Sequence, residues 1–421
     1  MSDTLKKRHR PRFIGNTYRP DAKIGRFLSV LILFGVSYGL YRGIQDNYLA
    51  EIVHVTPFER GIIEFFRETP GLLLIFILAL MYRFADSEVF KIGIAIAAGG
   101  CVGLFLSSTT PFFMTKIFVV VFMVLFSTGE HTIMPVRATI SMDLAKKEKT
   151  GASLGLSNSI SQFGNIAGFI FVTILFFILG KMGFNRKDIF GYRIVFGAAA
   201  ALMTTAALVA SALRETTLKA QRRRFYFAKK FYKYYMLEIF YGARKQIFLT
   251  FAPYVLILQY GADPSIMSIL YAICAVFGMC FSQLIGRIID KLGYKVVMVA
   301  DTLILIIVCL LYGFAHRLFS YNVAFMVVCV NFVMDSIISI ASMASNIYVQ
   351  RIASNQEEIT ATLSTGISVN HIISIFIALM GGWIWKVTGI ETLFSLSAFL
   401  GLLNSIYAAT IKKEEEVIKS N

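Results

Sequence analysis

GRIIDKLGYK, residues 286–295, has an echo near the start of the chain in YRFADSEVFK, residues 82–91. At an offset of 204 the two stretches keep Arg83 against Arg287, Asp86 against Asp290 and Lys91 against Lys295. Two further matches hold almost the same spacing. Tyr38-Gly39 stands against Tyr241-Gly242 and sets Arg42 opposite Lys245, while Glu130 stands against Asp335. Each match is weak by itself, but their near-constant offset argues for an internal duplication. The chain is therefore read as two related halves.

Outward from these stretches the sequence is apolar. The chain has 421 residues, 57% hydrophobic and 14% aromatic, with 16% charged. Twelve apolar runs are long enough to cross a bilayer: 25–45, 60–82, 92–109, 115–141, 152–179, 193–213, 236–259, 265–286, 296–314, 321–348, 360–384 and 389–410. They take up most of the chain and leave no room for a soluble domain of useful size. The long polar stretch RETTLKAQRRRFYFAKKFYKYY, 214–235, separates six runs from six. The expected fold is an all-α membrane protein with twelve transmembrane helices in two pseudo-symmetric six-helix bundles. The bundles are 1–213 and 236–421, joined by a cytoplasmic basic linker at 214–235. Two parallel repeats of this kind occur among secondary transporters, with the substrate site between them at mid-membrane.

The net charge of +16 would suit a nucleic-acid partner, but the basic residues are distributed by topology. With both termini inside, Lys and Arg crowd the N-terminal tail, the loops near 83–91, 143–150 and 287–295, and the linker. That is the positive-inside pattern, with the cluster at 181–193 as an exception, and it reports orientation. The expected partners are a small-molecule solute and the lipid bilayer, with no nucleic acid. The expected site of action is the cytoplasmic (inner) membrane, with the protein working as a monomer. The basic stretch 219–233 suits a position along anionic lipid. No short apolar region with a small-residue cleavage site follows the basic N-terminus, so the first helix is expected to be retained. Cys101, Cys274, Cys280, Cys309 and Cys329 fall in apolar segments without metal-type spacing and read as buried small hydrophobes.

GRIIDKLGYK resembles the loop signature of the major facilitator superfamily, roughly G-x-x-x-D-K/R-x-G-x-K/R, through Gly286, Asp290, Lys291, Gly293 and Lys295. With the twelve helices and the central basic loop, the resemblance covers essentially the whole chain and implies a rocker-switch transporter. It also implies that the loop acid pairs with a neighbouring helix end and stabilises one access state. The N-terminal copy departs from the pattern, with Tyr82 and Val89 at the glycine positions. Unequal gating by the two halves follows. Asp86, Arg287 and Asp290 are the gating candidates.

Five basic residues remain inside expected helices: Arg42, Arg67, Arg137, Arg244 and Lys245. A charge at a helix centre costs roughly 2.5–3.5 kcal/mol on insertion scales, so each needs a partner or a hydrated cavity. Glu64, Arg67 and Glu68 share one face of the second helix by their i, i+3, i+4 spacing. Glu130 and His131 lie near the middle of the fourth helix, Asp335 in the tenth, and Asn370-His371 in the eleventh. The fifth helix carries a stripe of Gly151, Gly155, Asn158, Gln162 and Asn165. Its glycines suit close helix contact and its amides a polar cavity. Arg42, Arg67, Arg244, Lys245, Asn158, Gln162, Asn370 and His371 are the substrate-binding candidates. Glu68, Glu130, His131 and Asp335 are the coupling candidates. Together they describe a positively biased central cavity for an anion, since guanidinium forks match carboxylate and phosphate. Cations on the first and seventh helices are also similar to those of organophosphate:phosphate antiporters within the superfamily. The competing account is that the cations neutralise Glu64, Glu68, Glu130 and Asp335 in static ion pairs.

Other functions fit less well. Proton-driven export of drugs or amphiphiles suits the intramembrane acids, but GNIAG (164–168) lacks the Gly-Pro element typical of the superfamily's drug antiporters. A transporter-derived sensor needs an output domain, and the tails are short and charged. An enzyme needs a nucleophile with its base, or a metal cluster. Neither His131 nor His371 has an acid partner at metal-ligand spacing in the sequence. No cofactor and no metal is expected.

Overall fold

The computed structural model describes residues 12–19, 22–110, 115–213 and 226–411, which are helical almost throughout. Most of the expected linker and the chain ends lie outside them. After a short α1 (Arg12–Thr17) come α2 (Ala22–Asn47), extended by a π turn at Tyr48–Ile52, then α3 (Pro57–Leu72) and α4 (Leu74–Leu80). The first half continues with α5 (Asp86–Thr109), α6 (Lys116–Asp143), α7 (Thr150–Lys181) and α8 (Ile189–Ser211). The second half holds α9 (Tyr232–Tyr260), α10 (Pro264–Leu292), α11 (Tyr294–Leu318), α12 (Tyr321–Ile340), α13 (Met343–Ile352), α14 (Gln356–Thr388) and α15 (Ile390–Ala409).

With α3–α4 and α12–α13 each counted as one crossing, these helices fall on the twelve apolar runs. Among the described residues, ten helices are long and apolar enough to cross a membrane by length and composition. The other two crossings are the informative ones. α3–α4 is interrupted at Leu73, just past Pro70-Gly71, and α9 dilutes its apolar run with Arg244, Lys245 and Gln246. α3 also starts earlier than its apolar residues do. Thr56 accepts from the Glu59 amide, Glu59 accepts from the Thr56 amide at 2.8 Å, and Pro57 occupies the first helical position. This capping box draws Arg60 into the helix.

Two sets of helices pack internally. In one, α2 lies against α7 and α8, and α5 against α6 and α8; in the other, α9 lies against α14 and α15, and α11 against α12 and α15. The α2–α7 crossing rests on Gly35 and Gly39 facing Gly164 and Gly168. A Cβ on Gly164 would lie 2.8 Å from the Ile32 carbonyl oxygen, and one on Gly168 2.5 Å from that of Val36. The expected contact glycines of α7, Gly151 and Gly155, instead have nothing within 4 Å. Between the sets, α3 lies along α14 and α7 along α10.

The repeated loop stretches take different local forms. In the second half, Gly293 turns the chain from α10 into α11 with φ +81°, where a side chain would be strained. Arg287 and Asp290 are exposed on the last turns of α10. In the first half, α4 stops sooner, so Asp86 opens α5 and is buried. The two aspartates matched by offset therefore sit on opposite sides of their turns. In the described end of the linker, Lys230 pairs with Glu358 at the foot of α14 (2.6 Å). This bond, with those from the Ser354 amide and Tyr226, lowers the Glu358 carboxyl to about 2.

A charged cavity between the two helix sets

A cavity of about 550 Å³ lies between the two sets. Its α2 wall presents Tyr38, Tyr41, Arg42 and Gln45. Arg42 lies 3.4 Å from Asp46, one turn on, and 5.2 Å from the centre of the Tyr271 ring. Two buried polar atoms beside it, the Tyr41 hydroxyl and Gln45 Nε2, have no hydrogen-bond partner among the described residues. Such groups are costly to bury unpaired, so this wall holds unspent donor capacity.

α3 supplies a ladder of alternating charge. Arg60, 0% exposed, donates to Glu64 (2.7 Å) and to Asp46 (3.1 Å). Arg67 donates through Nε (2.9 Å) and Nη2 (2.6 Å) to the two oxygens of Glu64, and also to Glu68. The ladder ties into the other set at three points. Gln246 donates to Glu64 (3.2 Å), Tyr271 to Asp46 (2.7 Å), and His371 Nδ1 lies 3.0 Å from Glu68 Oε2. Three guanidinium groups (Arg42, Arg60, Arg67) thus meet three carboxylates (Asp46, Glu64, Glu68). Arg60 Nε has no hydrogen-bond partner among the described residues, but the mutual pairing offsets part of the several kcal/mol that desolvating each ion costs.

The remaining walls come from α6, α9 and α14. Glu130 and His131 line the cavity from α6, Asn370 and His371 from α14, and Tyr234, Glu238, Tyr241, Lys245 and Gln246 from α9. Glu238 accepts from Ser345 (3.2 Å) and Asn370 (3.3 Å), both neutral donors. Lys245 rests 5.8 Å above the Tyr241 ring and, like Glu130, has no ion-pair partner among the described residues. The charged lining comprises Arg42, Arg67 and Lys245 with Glu68, Glu130 and Glu238. The expected positive bias therefore becomes a balance of opposite charges.

Several expected residues lie elsewhere. Arg244, 1% exposed, turns into the second set, where it pairs with Asp335 at 3.2 Å and stacks over Tyr241. Its neighbour Lys245 faces the cavity, which agrees with the offset that set Arg42 against Lys245. Asn158 is exposed, 3.5 Å from Arg137, and Gln162 bonds Asn165 one turn on (2.5 Å); neither lines the cavity. Asp86, Arg287 and Asp290 belong to the helix ends described above. Conversely, the fold brings Arg60, Asp46, Gln45, Glu238 and Gln246 into or beside the site, none of them a candidate on the sequence pattern. The capping box at Thr56, together with the i, i+4 spacing of Arg60 to Glu64, was the signal that would have placed Arg60 in the ladder.

The cavity has one closed end. Asn47 donates to the Ala262 carbonyl (2.8 Å), Ser268 to that of Gly43 (3.0 Å), and Arg186 to Asp263. Gly61 and Gly382 allow α3 and α14 to touch there, a Cβ on Gly382 lying 3.0 Å from the Phe58 carbonyl oxygen. In the opposite direction the lining reaches Tyr234, Ser342, Asn346 and Leu363, on the side of the linker.

A family model of the Major Facilitator Superfamily matches residues 27–369 and again 234–421. Among solved structures, the nucleoside transporter NupG is similar with a TM-score of 0.71 at 13% identity, covering 93% of this chain and 100% of that one. A D-xylose-proton symporter gives 0.71 at 13% identity, with 94% and 99% covered. A bacterial homolog of the human lysosomal transporter Spinster, inward-facing and unoccupied, gives 0.68 at 14% identity, with 96% and 98% covered. At these identities the likeness speaks to fold. No curated protein sequence matches the chain.

Proposed function

Because the chain belongs to the Major Facilitator Superfamily, we propose that its central cavity makes it a secondary transporter of a small organic anion, working by alternating access. The observation that carries the anion reading is the pair of facing walls. Among the described residues, Lys245 stands without a carboxylate partner on α9, and the Tyr41 hydroxyl and Gln45 Nε2 beside Arg42 on α2 have no hydrogen-bond partner. Donors and cations held ready in this way match a carboxylate or phosphate oxygen. Glu130 and Glu238 on the same lining favour a solute that also carries a cationic or hydrogen-donating group, so an amphoteric anion fits best. The positive-inside pattern supports a reading with the linker and both termini in the cytoplasm and the protein in the inner membrane. The cavity then faces inward, and residues 1–213 and 236–421 act as the rocking halves. The chain is read as a transporter and not an enzyme.

A thermal-shift screen of purified protein against organic acids, phosphate esters, amino acids and cationic drugs tests the solute class. Anionic or amphoteric compounds are expected to stabilise the wild type, and Arg42→Ala and Lys245→Ala each to reduce that shift strongly; Lys245→Ala, which breaks no ion pair among the described residues, should leave the unliganded melting temperature close to wild type. Stabilisation by cationic drugs alone would overturn the anion reading in favour of export of cationic amphiphiles.

A further inference from the structure

We propose that Glu68, His131 and His371 form a binding site for a divalent transition-metal ion on the wall of the central cavity. The three residues come from α3, α6 and α14, so the site bridges the two helix sets. One ligand atom from each lies within 4.8 Å of the other two. His371 Nδ1 and Glu68 Oε2 are already 3.0 Å apart. Ligands held about 2.0–2.2 Å from one ion stand roughly 3 Å from each other.

His131 is set in the orientation that a metal ligand needs. Its Nδ1 lies 2.8 Å from the Ser127 carbonyl oxygen and 3.1 Å from the Ser127 hydroxyl. That hydroxyl gives its own hydrogen to the Arg67 carbonyl at 2.6 Å. Both oxygens can only accept from the imidazole, so Nδ1 carries the hydrogen and Nε2 presents its lone pair. An imidazole whose far nitrogen is held by a carbonyl is the usual arrangement around a bound metal. No described residue donates to Nε2.

Gly71 makes the meeting of the two imidazoles sterically feasible. A Cβ there would lie 2.8 Å from His131 Nε2 and 2.8 Å from His371 Cε1. The rings approach edge to face with centroids 5.3 Å apart. Two imidazoles and one carboxylate leave further coordination positions open and suit zinc, iron, cobalt or nickel more than magnesium or calcium. All three side chains line the cavity, which supplies an entry path. When a metal takes Nδ1 of neutral His371, the ring's hydrogen resides on Nε2, and the metal replaces the hydrogen bond to Glu68. Arg67 bonds the other Glu68 oxygen, and its charge weakens the site for a bare cation relative to one that brings its own anionic ligand.

The test uses the full-length protein in detergent, titrated with zinc chloride by calorimetry and with cobalt chloride by visible absorption. Wild type is expected to bind one ion, with cobalt giving the d–d bands of an imidazole-ligated site. His131→Ala, His371→Ala and Glu68→Gln should each weaken zinc binding at least ten-fold. Lys181→Ala, at the exposed end of α7, should leave it unchanged. Metal-free thermal unfolding identifies any variant that does not fold, and His371→Asn, which keeps a polar group of similar reach, replaces one that fails. Absence of zinc and cobalt binding in wild type, or equal affinity in folded variants of all three residues, would overturn the proposal.

Discussion

Arg60 shows how far a single side chain can depart from what its sequence neighbours suggest. As the first residue of the apolar run 60–82 it reads as a cation of the preceding loop; in the fold it is fully buried between Asp46 and Glu64, 5.7 Å from the centre of the Tyr254 ring. Removing it leaves two buried carboxylates short of a partner, which costs about 3–5 kcal/mol. Arg60→Ala should therefore lower the thermal midpoint markedly in detergent, and Arg60→Met, which fills the space without the charge, should not rescue it. A midpoint equal to that of wild type would mean that Asp46 and Glu64 are neutral. Arg42, Arg67, Glu68, Glu130, Arg244, Lys245, Asp335 and His371 were legible as titratable residues of one depth, because charge inside an apolar run is conspicuous. Which of them turn toward the cavity was not legible. Arg244 and Lys245 are adjacent, so a helix points them about 100° apart, and only packing decides which one meets the cavity.

At the scale of elements, glycine spacing sets the closest helix contact. A Cβ on Gly39 would fall on the Asn165 carbonyl, and one on Gly164 on that of Ile32. Gly39→Ala must push α2 and α7 apart, and overpacking of this kind costs about 1–3 kcal/mol. Gly155→Ala, in open space on the same α7, should be neutral or slightly stabilising through helix propensity. Thermal unfolding of the two variants side by side checks the assignment; equal effects would contradict it. The helix runs themselves were plain from hydropathy. The break at Leu73 and the early start of α3 depend on Pro70-Gly71 and on capping at Thr56, local signals that an average over a span of residues hides.

At the scale of the molecule, the two helix sets are tied at one end and part around the cavity toward the other. The proposed alternating access requires those ties to break together. Weakening them with Arg186→Ala and Asn47→Ala should shift the population toward opening at that end. A cysteine at Ser268, buried and bonded to Gly43, reports the change when the five native cysteines are replaced by alanine. Its maleimide labelling should quicken severalfold in the double variant. An unchanged rate would show that these ties do not hold the end closed.

The sequence by itself determined the membrane class, the twelve crossings and the duplicated plan, because the bilayer forces long apolar helices whatever their neighbours are. It also marked most of the charged residues that meet at mid-depth. Only the tertiary structure decided their partners. Glu68, His131 and His371 are far apart in sequence and share no ligand spacing, yet packing of α3, α6 and α14 around Gly71 brings their ligand atoms within 4.8 Å. Rotation of each helix about its axis fixes such meetings, and that rotation is set by side-chain packing between helices.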